Sequence, residues 1–249
     1  HELVGLPADA VRERPAGEGR QGPAASQMAL FVPGGADATA GPAPGEVAPA
    51  SDPRLPEPGE RLRLWQIHNT YILVETRDGL LIVDQHAAHE RVLFERLMKA
   101  FEEGGQTGQR LLFPLTLQLS PAEYAHVEDL LGILESVGFE VEGFGGTTVI
   151  VHAVPDPHPY FDAQRCFREM VEELTHGSEL VRSARNQHER IAMSFACKGA
   201  IKAGQRLSEA EMEELLDQLF ATELPFHDVH GRPTTVRLSR GELERKFGR

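Results

Sequence analysis

The sequence predicts an α+β fold, in which a short antiparallel sheet is covered by helices and a second, smaller α+β unit is inserted before the chain ends. Three observations predict it. Between 61 and 83, apolar runs of strand length alternate with turn residues. From Val92 to Phe101, the apolar positions 92, 93, 97, 98 and 101 follow the period of an amphipathic helix. From 109 to about 180 the pattern reads strand, helix, hairpin, helix, with Gly-containing breaks at 102–108 and at His176-Gly177. A disordered arm precedes all of this.

The arm is residues 1–58. Of those 58 positions, 18 are Gly or Pro and 12 are Ala, so little apolar surface is available to offset chain entropy. One island, Gln27-Met28-Ala29-Leu30-Phe31, reads either as a peptide docked by a partner's groove or as a chance cluster in an Ala-rich tether. A chain that begins at His1 rather than Met is expected to be a piece of something longer.

Order is expected from about Arg61. Residues 61–67 alternate polar and apolar, Asn69-Thr70 turns the chain, and 71–76 and 79–83 are further strands. Gln109 to Pro114 leads into an alternating strand at 115–120. Ser120-Pro121-Ala122-Glu123 combines an N-cap, a Pro at the first helical position and a capping-box Glu; the helix ends at Gly138. Strands at 139–141 and 147–154 flank Gly143-Phe144-Gly145-Gly146, and a helix spans about 161–175. Residues 182–202 read as one long helix. Ser208 opens another, with Met212, Leu215, Leu216, Leu219 and Phe220 on one face, and a strand at 235–238 and a helix at 239–247 finish the chain. The segments are therefore 1–58, 59–108, 109–181 and 182–249, the second and fourth forming one unit around the third.

A formal net charge of −13 argues against a standing basic surface for nucleic acid and leaves room only for weak or recruited contact. Two cysteines, Cys166 and Cys197, imply no disulfide framework and suit a reducing, intracellular setting. No apolar run approaches the roughly 20 residues of a membrane helix, and no signal peptide is visible.

The densest chemistry lies in Asp84-Gln85-His86-Ala87-Ala88-His89-Glu90-Arg91-Val92-Leu93-Phe94-Glu95. Asp84 falls where a strand ends and a helix begins. His86 and Glu90 are four apart and share a helix face, so an imidazole and two carboxylates form three parts of a divalent-metal site. The same residues also suit an Asp84 N-cap followed by a solvated helix face. Further along, Ala196-Cys197-Lys198-Gly199-Ala200 ends a helix, where a cysteine is as often a buried thiol as a ligand. Pro225 to Pro233 is a loop rich in possible ligands, Asp228 and His230 among them.

Taken together these stretches resemble the C-terminal part of the MutL family of DNA mismatch-repair proteins. Asp84 to Glu95 is similar to its Asp-Gln-His-Ala-x2-Glu-x4-Glu motif, Ala196 to Ala200 to its Ala-Cys-(Arg/Lys)-x-Ala, His230-Gly231-Arg232-Pro233 to the end of its Cys-Pro-His-Gly-Arg-Pro, and Phe247-Gly248-Arg249 to its terminal Phe-x-Arg. The resemblance covers roughly 59–249 in collinear order. One departure stands out: the family's Cys-Pro is Asp228-Val229 here.

The resemblance implies a two-subdomain fold, with 109–181 as the regulatory insertion in a dimerisation and endonuclease subdomain. It implies a homodimeric, metal-dependent endonuclease that nicks DNA during mismatch repair. Asp84, His86 and Glu90 would be catalytic, and Asp84, His86, Glu90, Cys197, Asp228 and His230 would hold one or two ions, with Gln85, Glu95 and Arg232 in support. Two ions about 4 Å apart would stabilise attacking and leaving oxygens and acidify bound water. Asp228 in place of a soft thiolate favours Mn²⁺ or Mg²⁺ over tightly held Zn²⁺. Gln109, Leu111, Leu112, Phe113 and Pro114 resemble the family's motif for the β sliding clamp, whose recruitment would answer the charge problem; read alone they are an edge strand. ATP and the mismatch-recognition protein MutS would act through an N-terminal domain outside this sequence, and the setting would be the bacterial cytoplasm at the nucleoid, with no membrane. The alternative is a dimerising, clamp-binding scaffold without nuclease activity.

Overall fold

Strands β1 (Leu64–Ile67), β2 (Tyr71–Thr76) and β3 (Gly79–Asp84) follow one another as an antiparallel meander, and β7 (Thr235–Ser239) joins from the far end of the chain to give the order β1-β2-β3-β7. The computed structural model describes residues 63–155 and 158–249; Gln27 to Phe31 and the rest of the predicted arm lie outside the described residues. Alternation sorts the sheet into two faces. Ile72, Val74, Leu81 and Val83 point inward and are at most 1% exposed, each contributing about 1.5–3 kcal/mol by burial. Trp65, Leu73, Ile82 and Val236 stand in register on the other face, across all four strands. Gly79 is required where the sheet closes, because a Cβ there would sit 2.1 Å from the Leu238 carbonyl oxygen.

The inner face is covered by helices α1 (Gln85–Glu102) and α6 (Glu209–Phe220), through Ala88 and Val92 of the first and Met212, Leu215, Leu216 and Leu219 of the second. The predicted Asp84 N-cap is present: its Oδ1 accepts from the backbone N–H of His86 at 2.9 Å and of Ala87 at 3.1 Å. In its first turns α1 is buried all round, so Gln85, His89, Glu90 and Arg91 must each find polar partners.

The opposite flank of α1, through Leu93 and Leu97, belongs to a second core. That core is built by β4 (Gln109–Gln118), α2 (Pro121–Ser136), β5 (Glu140–Gly143), β6 (Thr148–Val154), α3 (Ala163–His176), the short α4 (Glu179–Ser183) and α5 (Gln187–Gly199). Its sheet runs β4-β6-β5, all antiparallel, and Phe139, Phe167 and Phe195 meet at its centre. The α+β expectation holds, with antiparallel sheets and helices throughout, and the Ser120–Glu123 capping box forms as predicted. Helix α7 (Arg240–Lys246) is the last element. No helix among the described residues is long and apolar enough to cross a membrane.

Two local expectations need correction. The stretch 182–202 is not one helix: Asn186 turns extended and its side chain accepts from the Glu189 N–H at 2.8 Å, so a cap competes with continuation. Helix α5 also stops at Gly199, which frees 200–207 as a loop returning to α1. And 109–118 is a single strand whose register slips between Arg110 and Leu115, leaving Leu112 87% and Phe113 78% exposed. Pro114, which has no N–H to give a ladder, lies in the slip.

Candidate metal centre

Helical spacing brings His86 Nε2 to 3.3 Å from Glu90 Oε1 on one face of α1. The last turn of α5 carries Cys197 to the same place, and the loop before β7 brings His230, whose Nε2 lies 3.3 Å from Cys197 Sγ and 3.9 Å from Glu90 Oε1. Donor atoms of Glu90, Cys197 and His230 all fall within 4.8 Å of one another, although the residues span 140 positions of sequence (90 to 230).

Glu90 is 2% exposed and its two oxygens are divided. Oε1 faces the two imidazoles, while Oε2 accepts from Arg232 at 3.1 Å. Arg232 in turn donates from Nε to Asp228 Oδ2 at 2.5 Å. Asp228 Oδ1 accepts from the backbone N–H groups of His230 and Arg232, each at 2.8 Å, so this carboxylate builds the loop around His230. The structure does not bring Asp228 into the donor cluster, and it spends one oxygen of Asp84 on the helix cap.

Sequence reasoning missed Arg91. It is buried, donates to the carbonyls of His227 at 2.6 Å and Asp228 at 2.7 Å, and so straps the His230 loop to α1. Glu95 completes the strap by accepting from the N–H groups of Glu223 and Leu224. A readable signal existed: Arg91 directly precedes Val92 and Leu93 in a helix whose neighbours are apolar, where a cation needs fixed acceptors.

Ile201 was missed as well, since its part is played by backbone. Its carbonyl lies 2.8 Å from His86 Nδ1 and its N–H donates to His89 Nδ1 at 2.9 Å. A carbonyl only accepts, so His86 carries a proton on Nδ1, and its Nε2 faces Glu90 Oε1. His89 must be neutral to accept, and burial, reinforced by the charges of His158, Arg96, His86 and Lys202, lowers its pKa to about 3. Its unfolded value is near 6.5, so between these limits the unfolded chain holds more protons and stability falls as pH falls. Between pH 6.5 and 5 wild type should lose about 2 kcal/mol more than His89→Gln, read from denaturant melts.

Burial raises the Cys197 pKa, and the Glu90 carboxylate raises it further, so in the metal-free protein this thiol is protonated. The residues fit a divalent cation. An imidazole, a carboxylate and a thiol converge at His230, Glu90 and Cys197, and a second imidazole, His86, has Nε2 beside the same Glu90 oxygen.

The fold and this site define a mixed α+β domain in which Glu90, Cys197 and His230 form a group that could hold a metal ion. A model of the MutL C-terminal dimerisation domain matches residues 64–207. The DNA mismatch repair protein MutL of Gemmatimonas aurantiaca is 44% identical over 260 residues, covering 100% of this chain and 42% of that protein. Its namesakes from Chlorobium phaeobacteroides and Chlorobaculum parvum are 38% and 35% identical over 82% and 94% of this chain, and 32% and 36% of their own lengths. The chain belongs to the MutL C-terminal dimerisation domain family. It spans well under half the length of the curated relatives it matches.

Proposed function

We propose that this chain is the dimerising, metal-dependent DNA-nicking part of a mismatch-repair MutL. The observation that carries the reading is the convergence of Glu90, Cys197 and His230, from three distant stretches, on one cluster of donor atoms, with His86 Nε2 beside Glu90. These four would hold the ion, with the uncommitted side of Asp84 nearby. Mn²⁺ or Mg²⁺ is the expected catalyst; Zn²⁺ regains ground because Cys197 supplies the soft donor that Asp228 lacks. When bound, such an ion supplies acidified water and charge stabilisation for phosphodiester hydrolysis.

The chain's own residues do the positioning. Arg232 pins one oxygen of Glu90, so the other stays turned to the imidazoles. Arg91 and Glu95 hold the loop that delivers His230, and the Ile201 carbonyl fixes the His86 ring. Wild-type protein with Mn²⁺ should convert supercoiled plasmid to open circles, and EDTA should stop it. If no preparation nicks, the scaffold reading replaces this one; Asp228, fully engaged by Arg232 and loop amides where the family has Cys, is the observation in its favour.

Homodimerisation is proposed through the outer face of the first sheet, where Trp65 is 49% and Val236 54% exposed beside Leu73 and Ile82. Clamp binding is proposed for Gln109 to Pro114, with Leu112 and Phe113 as anchors and Leu111 packed on the core beneath. The pair Leu112→Ala and Phe113→Ala should weaken β-clamp affinity at least about tenfold, since two exposed anchors are lost, with the melting temperature held. Unchanged affinity in a surface-binding assay would remove the assignment. The two-subdomain division at 109–181, weak DNA contact, MutS and ATP coupling through the remainder of a longer protein, and a cytoplasmic setting complete the proposal.

A further inference from the structure

Three glutamine side chains interlock beneath the β1–β2 hairpin. Gln85, fully buried, directs Nε2 to the carbonyls of Asn69 at 2.8 Å, Gln205 at 3.1 Å and Lys202 at 3.3 Å. Its Oε1 accepts from Gln66 Nε2 at 2.6 Å. Gln66 Nε2 also reaches the Gln205 carbonyl at 2.9 Å, and Gln66 Oε1 accepts from the Leu207 N–H at 3.1 Å. Gln205 Oε1 accepts from the Lys202 N–H at 2.8 Å, and the Gly204 N–H donates to the Asn69 carbonyl at 2.8 Å.

The loop from 201 to 207 is thus tied along its length to β1, to the β1–β2 turn and to the first residue of α1. Nothing in metal chemistry asks for amides here, and none of the three touches the donor cluster. What the tied loop presents is the Ile201 carbonyl, 2.8 Å from His86 Nδ1.

We infer that Gln66 and Gln85 are positioning residues for His86, acting through Ile201. By fixing 201–205 they hold the carbonyl that keeps the imidazole proton on Nδ1 and leaves Nε2 for a divalent cation. An apolar residue at 85 would take one donor from each of three partly buried carbonyls and leave that of Lys202 without the amide, and the loop would drift from the ring. Gln66 lies on β1, with Trp65 and Ile67 of the outer sheet face on either side, so His86 is set from the strand that also carries that face. The inference rests on the metal-centre reading for its consequence, not for its geometry.

The test compares wild type with Gln66→Ala and Gln85→Ala, and with Val74→Ala as a variant that weakens the same core without touching the loop. Imidazole-nitrogen NMR of the metal-free protein reads the His86 tautomer, and calorimetric titration with Mn²⁺ reads affinity. Both glutamine variants should show faster proton exchange at His86 Nδ1, loss of the single tautomer and a 10–100-fold weaker Mn²⁺ affinity. Val74→Ala should lose stability and leave the tautomer alone. Gln66 is half-exposed and water can replace its bonds, so Gln66→Ala folds even where Gln85→Ala does not. An unchanged His86 tautomer in folded Gln66→Ala overturns the inference. If wild type binds no Mn²⁺, the metal-centre reading fails, and the tautomer readout still decides the positioning role.

Discussion

Replacing Glu90 with Gln is expected to remove metal-dependent plasmid nicking, by more than about a hundredfold, while the domain stays folded. Among the described residues, Glu90 has the one side chain that meets His86, His230, Cys197 and Arg232 together. The amide keeps the shape and can still accept from Arg232, so no void opens. Losing a buried charge offsets much of the lost ion pair, and Arg232 retains Asp228. The stability change should therefore stay within about 1 kcal/mol. Nicking by Glu90→Gln at the wild-type rate, in protein freed of contaminating nuclease, would place the chemistry elsewhere in the molecule.

The second large effect concerns assembly. Ile82→Asp should convert a dimer into a monomer, weakening association at least a hundredfold, equivalent to about 2.7 kcal/mol. Ile82 sits mid-row between Leu73 and Val236, so on association a carboxylate there would lose its water among apolar neighbours. Leu81 and Val83 on either side point inward and keep the core, which limits the cost to the monomer to roughly the 1 kcal/mol span of strand preference. Sedimentation velocity at micromolar concentration distinguishes the outcomes. An Ile82→Asp protein that still sediments as a dimer moves the interface off this sheet.

Much of this was legible in the residues. Alternation and turn chemistry located β1, β2 and β3, and local N-terminal signals located α2 and α6, because all are short-range effects. The break at Asn186 escaped because residue periodicity continues across it while the backbone does not. At the site, Glu90, Cys197 and His230 are legible from their motifs, and the fold brings them together, with His86 beside Glu90. Asp228 was weighed as a ligand from its place in the motif, yet its carboxylate is used within its own loop. Ile201 could not be found at all, since any side chain at 201 carries the same carbonyl. Likewise, the pairing of β3 with a strand some 150 residues later depends on tertiary closure and leaves no local trace.

That late strand has a consequence for biosynthesis. A ribosome must release residues 228–239 before the sheet can close and before His230 can reach α1. Until then the nascent polypeptide has Glu90 and Cys197 but lacks the His230 that completes their donor cluster. A premature stop after α6 would yield a product that lacks β7 and the His230 loop and exposes the bare edge of β3 to other chains.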